Sequence, residues 1–101
     1  MQVINNTEFE TLVKDWSELV DNRFAVINGV HVDLTDYHTD NDSFSIISIH
    51  NATDCSNISN ASGEYLSDET LIKRVCFTNE AQAAETFFVE LIKKLLVGEE
   101  V

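Results

Sequence analysis

Residues 23–34 read Arg-Phe-Ala-Val-Ile-Asn-Gly-Val-His-Val-Asp-Leu, two β-branched and aromatic runs separated by Asn28-Gly29. Asn-Gly suits a type I′ turn, which needs positive φ at both central residues, so the stretch reads as a hairpin with strands Arg23–Ile27 and Val30–Leu34. A two-residue turn pairs Ile27 with Val30 and Ala25 with Val32. One face of the ribbon then carries an apolar set, and the other carries Phe24, Val26, His31 and Asp33. A bulge within one long strand is the alternative reading of the internal glycine.

On the N-terminal side, Thr7-Glu-Phe-Glu10 has the form of a capping box and predicts a helix over Glu8–Val20. Its apolar residues Phe9, Leu12, Val13, Trp16, Leu19 and Val20 recur at helical spacing and form one stripe that must be buried. On the C-terminal side, Phe44–His50 reads as a third strand. The adjacent Ile46-Ile47 breaks its alternation and implies either a bulge or burial on both faces. Asn51–Gly63 is a polar loop of thirteen residues, long enough to be a functional or mobile segment. Leu71–Phe77 is a last strand, with Lys73 interrupting an apolar face of Leu71, Val75 and Phe77. Thr78 is placed to cap a final helix over Asn79–Val97, whose broad face is Ala84, Phe87, Phe88, Leu91, Ile92, Leu95 and Leu96. Lys93 and Lys94 suit the C-terminal end of the helix dipole and Gly98 its termination.

The expected fold is therefore α+β in the order α-β-β-β-β-α, an antiparallel sheet with two amphipathic helices packed on one face. The opposite sheet face then meets solvent or a partner. A chain of 101 residues with 44% hydrophobic content and six Phe builds one compact core, so residues 1–101 are expected to form a single domain.

Charge is the most unusual feature. The chain has 18 Asp+Glu against 6 Lys+Arg, a net −12. Nucleic acids and anionic membranes attract Lys and Arg, so neither is an expected partner, whereas a basic protein would be steered toward this chain from a distance. No apolar stretch approaches the roughly 18 residues that span a bilayer, and Met1-Gln-Val-Ile-Asn-Asn lacks the pattern of a signal peptide. A cytoplasmic location is expected. Five Asn-x-Ser/Thr triplets begin at Asn5, Asn41, Asn51, Asn57 and Asn60 and would be glycan acceptors in a secreted protein. Cys55 and Cys76 are too few for a disulfide framework and read as one loop thiol and one strand thiol packed as a small apolar residue. In a secreted glycosylated binding domain they would instead form a bridge.

Catalytic patterns are absent. There is no Gly-x-Ser-x-Gly elbow, and three scattered glycines cannot build a phosphate loop, so the chain is expected not to be an enzyme and to need no cofactor. His31, His38 and His50 could approach one another if the strands align, but no HExxH or paired cysteine supports a zinc site. The segment Asp33–Asp42 gathers four carboxylates in ten residues without a base. As a calcium loop starting at Asp36 it would place His38 at position 3, Asn41 at 6 and Ile47 at 12, which fails at the diagnostic positions. The carboxylates can instead stand in for a phosphate backbone. Alternate residues of an extended segment, such as Asp40 and Asp42, lie about 6.6 Å apart on one side. Asp33, Asp36, Asp40, Asp42 and, in the following loop, Asp54 are the expected partner-binding residues. Both helices carry Lys beside their acids and read as ordinary solvated faces.

A small, acidic, Pro-free and Asn-rich chain laid out as helix, antiparallel strands and helix resembles the phage- and plasmid-encoded inhibitors of bacterial defence, the anti-CRISPR and antirestriction proteins. The resemblance spans the whole chain in layout and composition and carries over no residue. It implies a non-enzymatic viral or plasmid inhibitor that acts in the bacterial cytoplasm. Its acidic surface would bind a basic nucleic-acid-handling protein, a nuclease or effector, by nucleic-acid mimicry. Immunity proteins that neutralise toxin nucleases look similar at this level, as small acidic caps on basic nucleases, and the same physics would serve them.

Overall fold

The computed structural model describes residues 1–15, 18–39, 41–51 and 70–100, with side chains for all of these except 14, 15 and 18–20. Trp16, Asp40, Asp54, Cys55 and the polar loop beyond Asn51 lie outside the described residues. The elements are β1 (Gln2–Val3), α1 (Asn6–Asp15), β2 (Glu18–Ile27), β3 (Val30–His38), β4 (Ser43–Asn51), β5 (Leu71–Thr78) and α2 (Ala81–Leu96). The strands form one antiparallel sheet in the order β1-β5-β4-β3-β2. Among the described residues, no helix is long and apolar enough to cross a membrane.

The hairpin forms in the expected register. Asn28 and Gly29 both take positive φ, 51° and 77°, and Ile27 pairs with Val30 and Ala25 with Val32. Helix α2 also matches its sequence pattern at Ala84, Phe88, Leu91 and Leu95, which are buried, although Leu96 is exposed. Gly98 closes the helix at φ 81°, with its N–H bonded to the Leu95 carbonyl at 3.1 Å and the Glu99 N–H to the Lys94 carbonyl at 2.9 Å. This paired pattern satisfies carbonyls that the helix end leaves open.

Four expectations change. The first helix ends at Asp15, and residues 18–20 belong to β2. Helical spacing favours a longer helix, but Glu18 and Leu19 pair instead with His38 and Tyr37, and long-range ladder bonds override a local preference. A shift between Leu19 and Asp21 makes Val20 a bulge. The cap is also displaced. The Asn5 Oδ1 accepts from the Glu8 N–H at 2.8 Å and the Glu8 Oε1 from the Asn5 N–H at 3.2 Å, a capping box two residues before Thr7 and Glu10. Thr78 ends β5, and Glu80 precedes α2 without a side-chain cap.

The fourth change concerns layering. Val32, Leu34, Ile47, Ile49, Val75 and Phe77 form the main core with Ala84, Phe88, Leu91 and Leu95 of α2. Ile4, Ile46 and Cys76 form a second cluster, packed against Phe9 and Leu12 of α1 and against Tyr37 and Phe44. Adjacent strand residues point to opposite faces, so Ile46 and Ile47 each need a cover. The helices therefore lie on opposite faces of the sheet, not together on one. Arg74 fastens α1 to its face. Its Nε donates to the Ser48 Oγ at 3.0 Å and its Nη1 to the Asn6 Oδ1 at 2.7 Å, while its guanidinium lies 3.9 Å from the centre of the Phe9 ring.

Candidate functional site

Of the five expected contact residues, Asp40 and Asp54 lie outside the described residues, and the other three, Asp33, Asp36 and Asp42, do not form one surface. Alternation within β3 sends Asp33 to the α1 side of the sheet and Asp36 to the α2 side. Asp33 is buried. Thr35 Oγ1 donates to its Oδ1 at 2.6 Å, and Asn22 Nδ2 donates to its Oδ2 at 2.9 Å and to Thr35 Oγ1 at 2.8 Å. Loss of water pushes the Asp33 pKa up to about 6 despite those bonds and the nearby Arg74 charge. Asp33 is thus an interior polar residue, and its expected role as a contact residue is corrected. Ser48, below Arg74, and His50 are buried on the same face. Nothing in residues 31–37 marks this polar row as interior. The one sequence signal is that His31, Asp33, Thr35 and Tyr37 all alternate onto one side.

Asp36 and Asp42 lie toward one end of the sheet, where β3 passes into β4. Asp36 is half-buried and accepts from the Ser45 Oγ at 2.6 Å. Its cross-strand partner is Asp21, an arrangement in which like charges repel. Arg23 lies beside them, with its Nε 3.5 Å from Asp21 and its Nη1 3.0 Å from Glu85. Asp42 is exposed in the β3–β4 connection and accepts from the Asn79 Nδ2 at 3.0 Å. Asn79, at φ 55°, also donates its N–H to the Ser43 carbonyl at 2.7 Å and accepts the Ser43 N–H on its Oδ1 at 2.8 Å. These bonds tie the β3–β4 connection to the start of α2. Asp21, Asp36 and Glu85 thus surround Arg23, and Asp42 is held by Asn79 in the adjoining connection. The sequence does not group Asp21 and Glu85 with Asp36, because strand pairing and the Arg23 ion pair are what bring them together.

The histidines separate. His31 and His50 are cross-strand partners with ring centres 6.3 Å apart, whereas His38 pairs with Ser43 at the far end of the strands. Among the described residues, no group of three or more His, Cys, Asp or Glu is placed to hold a metal ion. His31 is fully buried and stacked on Phe24 at 5.3 Å, and desolvation lowers its pKa. Burial raises the pKa of Cys76, so this thiol behaves as a small apolar side chain. Of the Asn-x-Ser/Thr residues, Asn5 uses its side chain to cap α1 and Asn41 and Asn51 are exposed. Asn57 and Asn60 lie outside the described residues.

Comparison of the chain with protein-family models, curated proteins and solved structures gives no significant match.

Proposed function

We propose that this chain is a non-enzymatic acidic inhibitor that binds a basic nucleic-acid-handling protein, as anti-CRISPR and antirestriction proteins do, through the acidic end of its sheet. One observation carries the reading. The chain carries a net −12 charge, and Arg23 is the cation that the structure sets among the acids of this end, between Asp21 and Glu85. Around Arg23 the three carboxylates of Asp21, Asp36 and Glu85 outnumber its single positive charge, so the field at this end stays negative. A partner evolved to grip phosphates presents Arg and Lys in rows that such carboxylates can pair. An immunity protein acting on a toxin nuclease would use the same contact.

Affinity capture from the native host, followed by mass spectrometry, tests the reading. A basic nucleic-acid-binding protein should be retained, released by rising salt, and displaced by added duplex. A captured partner that is neither basic nor displaced by duplex would end the proposal. The isolated chain should also give no electrophoretic shift of DNA or RNA at low salt, where electrostatic binding is strongest.

The contact surface is tested with the partner in hand. Asp21→Asn, Asp36→Asn and Asp42→Asn together should slow association by about tenfold at low salt and change dissociation less. Asp33→Asn should leave association as it is, because that carboxylate is interior. An unchanged rate in the triple variant would move the contact elsewhere.

A further inference from the structure

At the other end of the sheet, α2 finishes against the hairpin turn. The Asn28 Nδ2 donates to the Leu95 carbonyl at 2.6 Å, and the glycine-closed end of α2 holds residues 98 and 99 in place. Between these elements lies a groove of about 340 Å³ lined by Asn28, Val30, Ile72, Leu95, Glu99 and Glu100. Its apolar wall is open to solvent at Ile72, which is 48% exposed, and Leu96 and Val97, next in the chain after the lining residue Leu95, are exposed as well. Apolar surface of this kind, left uncovered next to a polar rim, marks contact sites.

The charge of the rim selects the occupant. Glu99 and Glu100 line the groove, and the C-terminal end of α2 adds the negative pole of its dipole. Lys93 and Lys94 stand in the last helical turn, with Lys93 directed to Glu90 at 3.4 Å, and neither lines the groove. We infer that this groove receives one large apolar side chain from a basic segment of the partner protein, with flanking Lys or Arg placed against Glu99 and Glu100. The inference rests on the proposed basic partner and deepens it. The acidic end would capture the partner from a distance, and the groove would supply a desolvated anchor of the type that carries most interface energy.

Three short peptides separate these contributions without the partner: acetylated and amidated Lys-Trp-Lys, Lys-Ala-Lys and Glu-Trp-Glu. Each is titrated into the isotope-labelled full chain while backbone amide signals are followed. Lys-Trp-Lys should shift Val30, Ile72, Leu95 and Gly98 saturably at millimolar concentration, and each of the others should bind there at least about fivefold more weakly, since each lacks one of the two complementary features. Ile72→Asn should abolish the response while signals elsewhere in the sheet stay in place. If Lys-Trp-Lys binds no better than both controls, or its shifts fall only around Asp36 and Asp42, the groove is not an anchor. In the second case the acidic-end reading survives alone. If neither cationic peptide shifts any amide at either end, both readings fall.

Discussion

Phe88→Ala is expected to destabilise the chain by about 3–5 kcal/mol, the cost of removing a large buried aromatic from a core that cannot fully collapse around the space. Phe88 stands midway along α2 and is 6% exposed, among Val32, Leu34, Ile47, Val75 and Leu91. The Arg23 guanidinium lies 5.9 Å from the centre of its ring, so the substitution also removes a cation–π contact worth about 0.5–1 kcal/mol at a partly exposed site. Domains are stable by about 5–15 kcal/mol, and the variant should therefore unfold at a clearly lower denaturant midpoint with an unchanged slope. Val89→Ala, one residue along but 41% exposed, should cost less than about 1 kcal/mol. Near-equal losses for the two would mean that α2 does not seat on the sheet through the face seen here.

The parts of this fold that could be read from residues are those in which local chemistry and tertiary packing agree. Asn28-Gly29 demands positive φ at two consecutive positions, which leaves few alternatives to a tight hairpin and sets its register. The apolar stripe of α2 runs for four turns, longer than chance spacing in a strand would sustain. Competition between levels explains the rest. The stripe that continues past Asp15 at helical spacing is overridden because β3 extends to His38 and needs a partner along its whole length. The doublet Ile46-Ile47 allowed two readings, a bulge or double-sided burial, and only the second brings a helix to each face.

The candidate site was legible to a lesser degree, for a related reason. Counting carboxylates along residues 33–42 treats the segment as one surface, yet a strand splits its neighbours between two faces. Asp36 and Asp42 belong to the acidic end, and Asp33 belongs to an interior network with Asn22 and Thr35. Asp21 and Glu85 come to Asp36 only through strand pairing and the Arg23 ion pair, contacts between residues far apart in the chain. Net charge is a property of composition and survives any fold, whereas the place where charge concentrates is a property of topology.

Asp33 supplies the second large effect, one opposite in sign to ordinary acid denaturation. A carboxyl whose pKa is raised on folding binds its proton more tightly in the native state. Its contribution is therefore most favourable below the unfolded pKa and is lost as pH rises through the folded one. For Asp33 the window runs from the ordinary 3.8 to about 6, and at about 1.4 kcal/mol per pH unit the loss reaches up to about 3 kcal/mol by pH 7. Asp33→Asn keeps an acceptor for Asn22 and Thr35 but carries no charge, so it should raise stability at pH 7 by about 1–3 kcal/mol, less whatever the rearranged bonds cost. His31 acts in the reverse sense. Its lowered pKa gives stability that is present above the ordinary imidazole value and is lost as pH falls. That contribution is common to both proteins and cancels in the difference between them. Denaturation of wild type and variant from pH 4 to pH 7.5 should thus show a gap that is small at pH 4, widens toward pH 6 and is level above pH 7. A variant that is less stable than wild type at pH 7, or a gap independent of pH, would show that the buried Asp33 carboxylate is fully compensated by Thr35, Asn22 and Arg74.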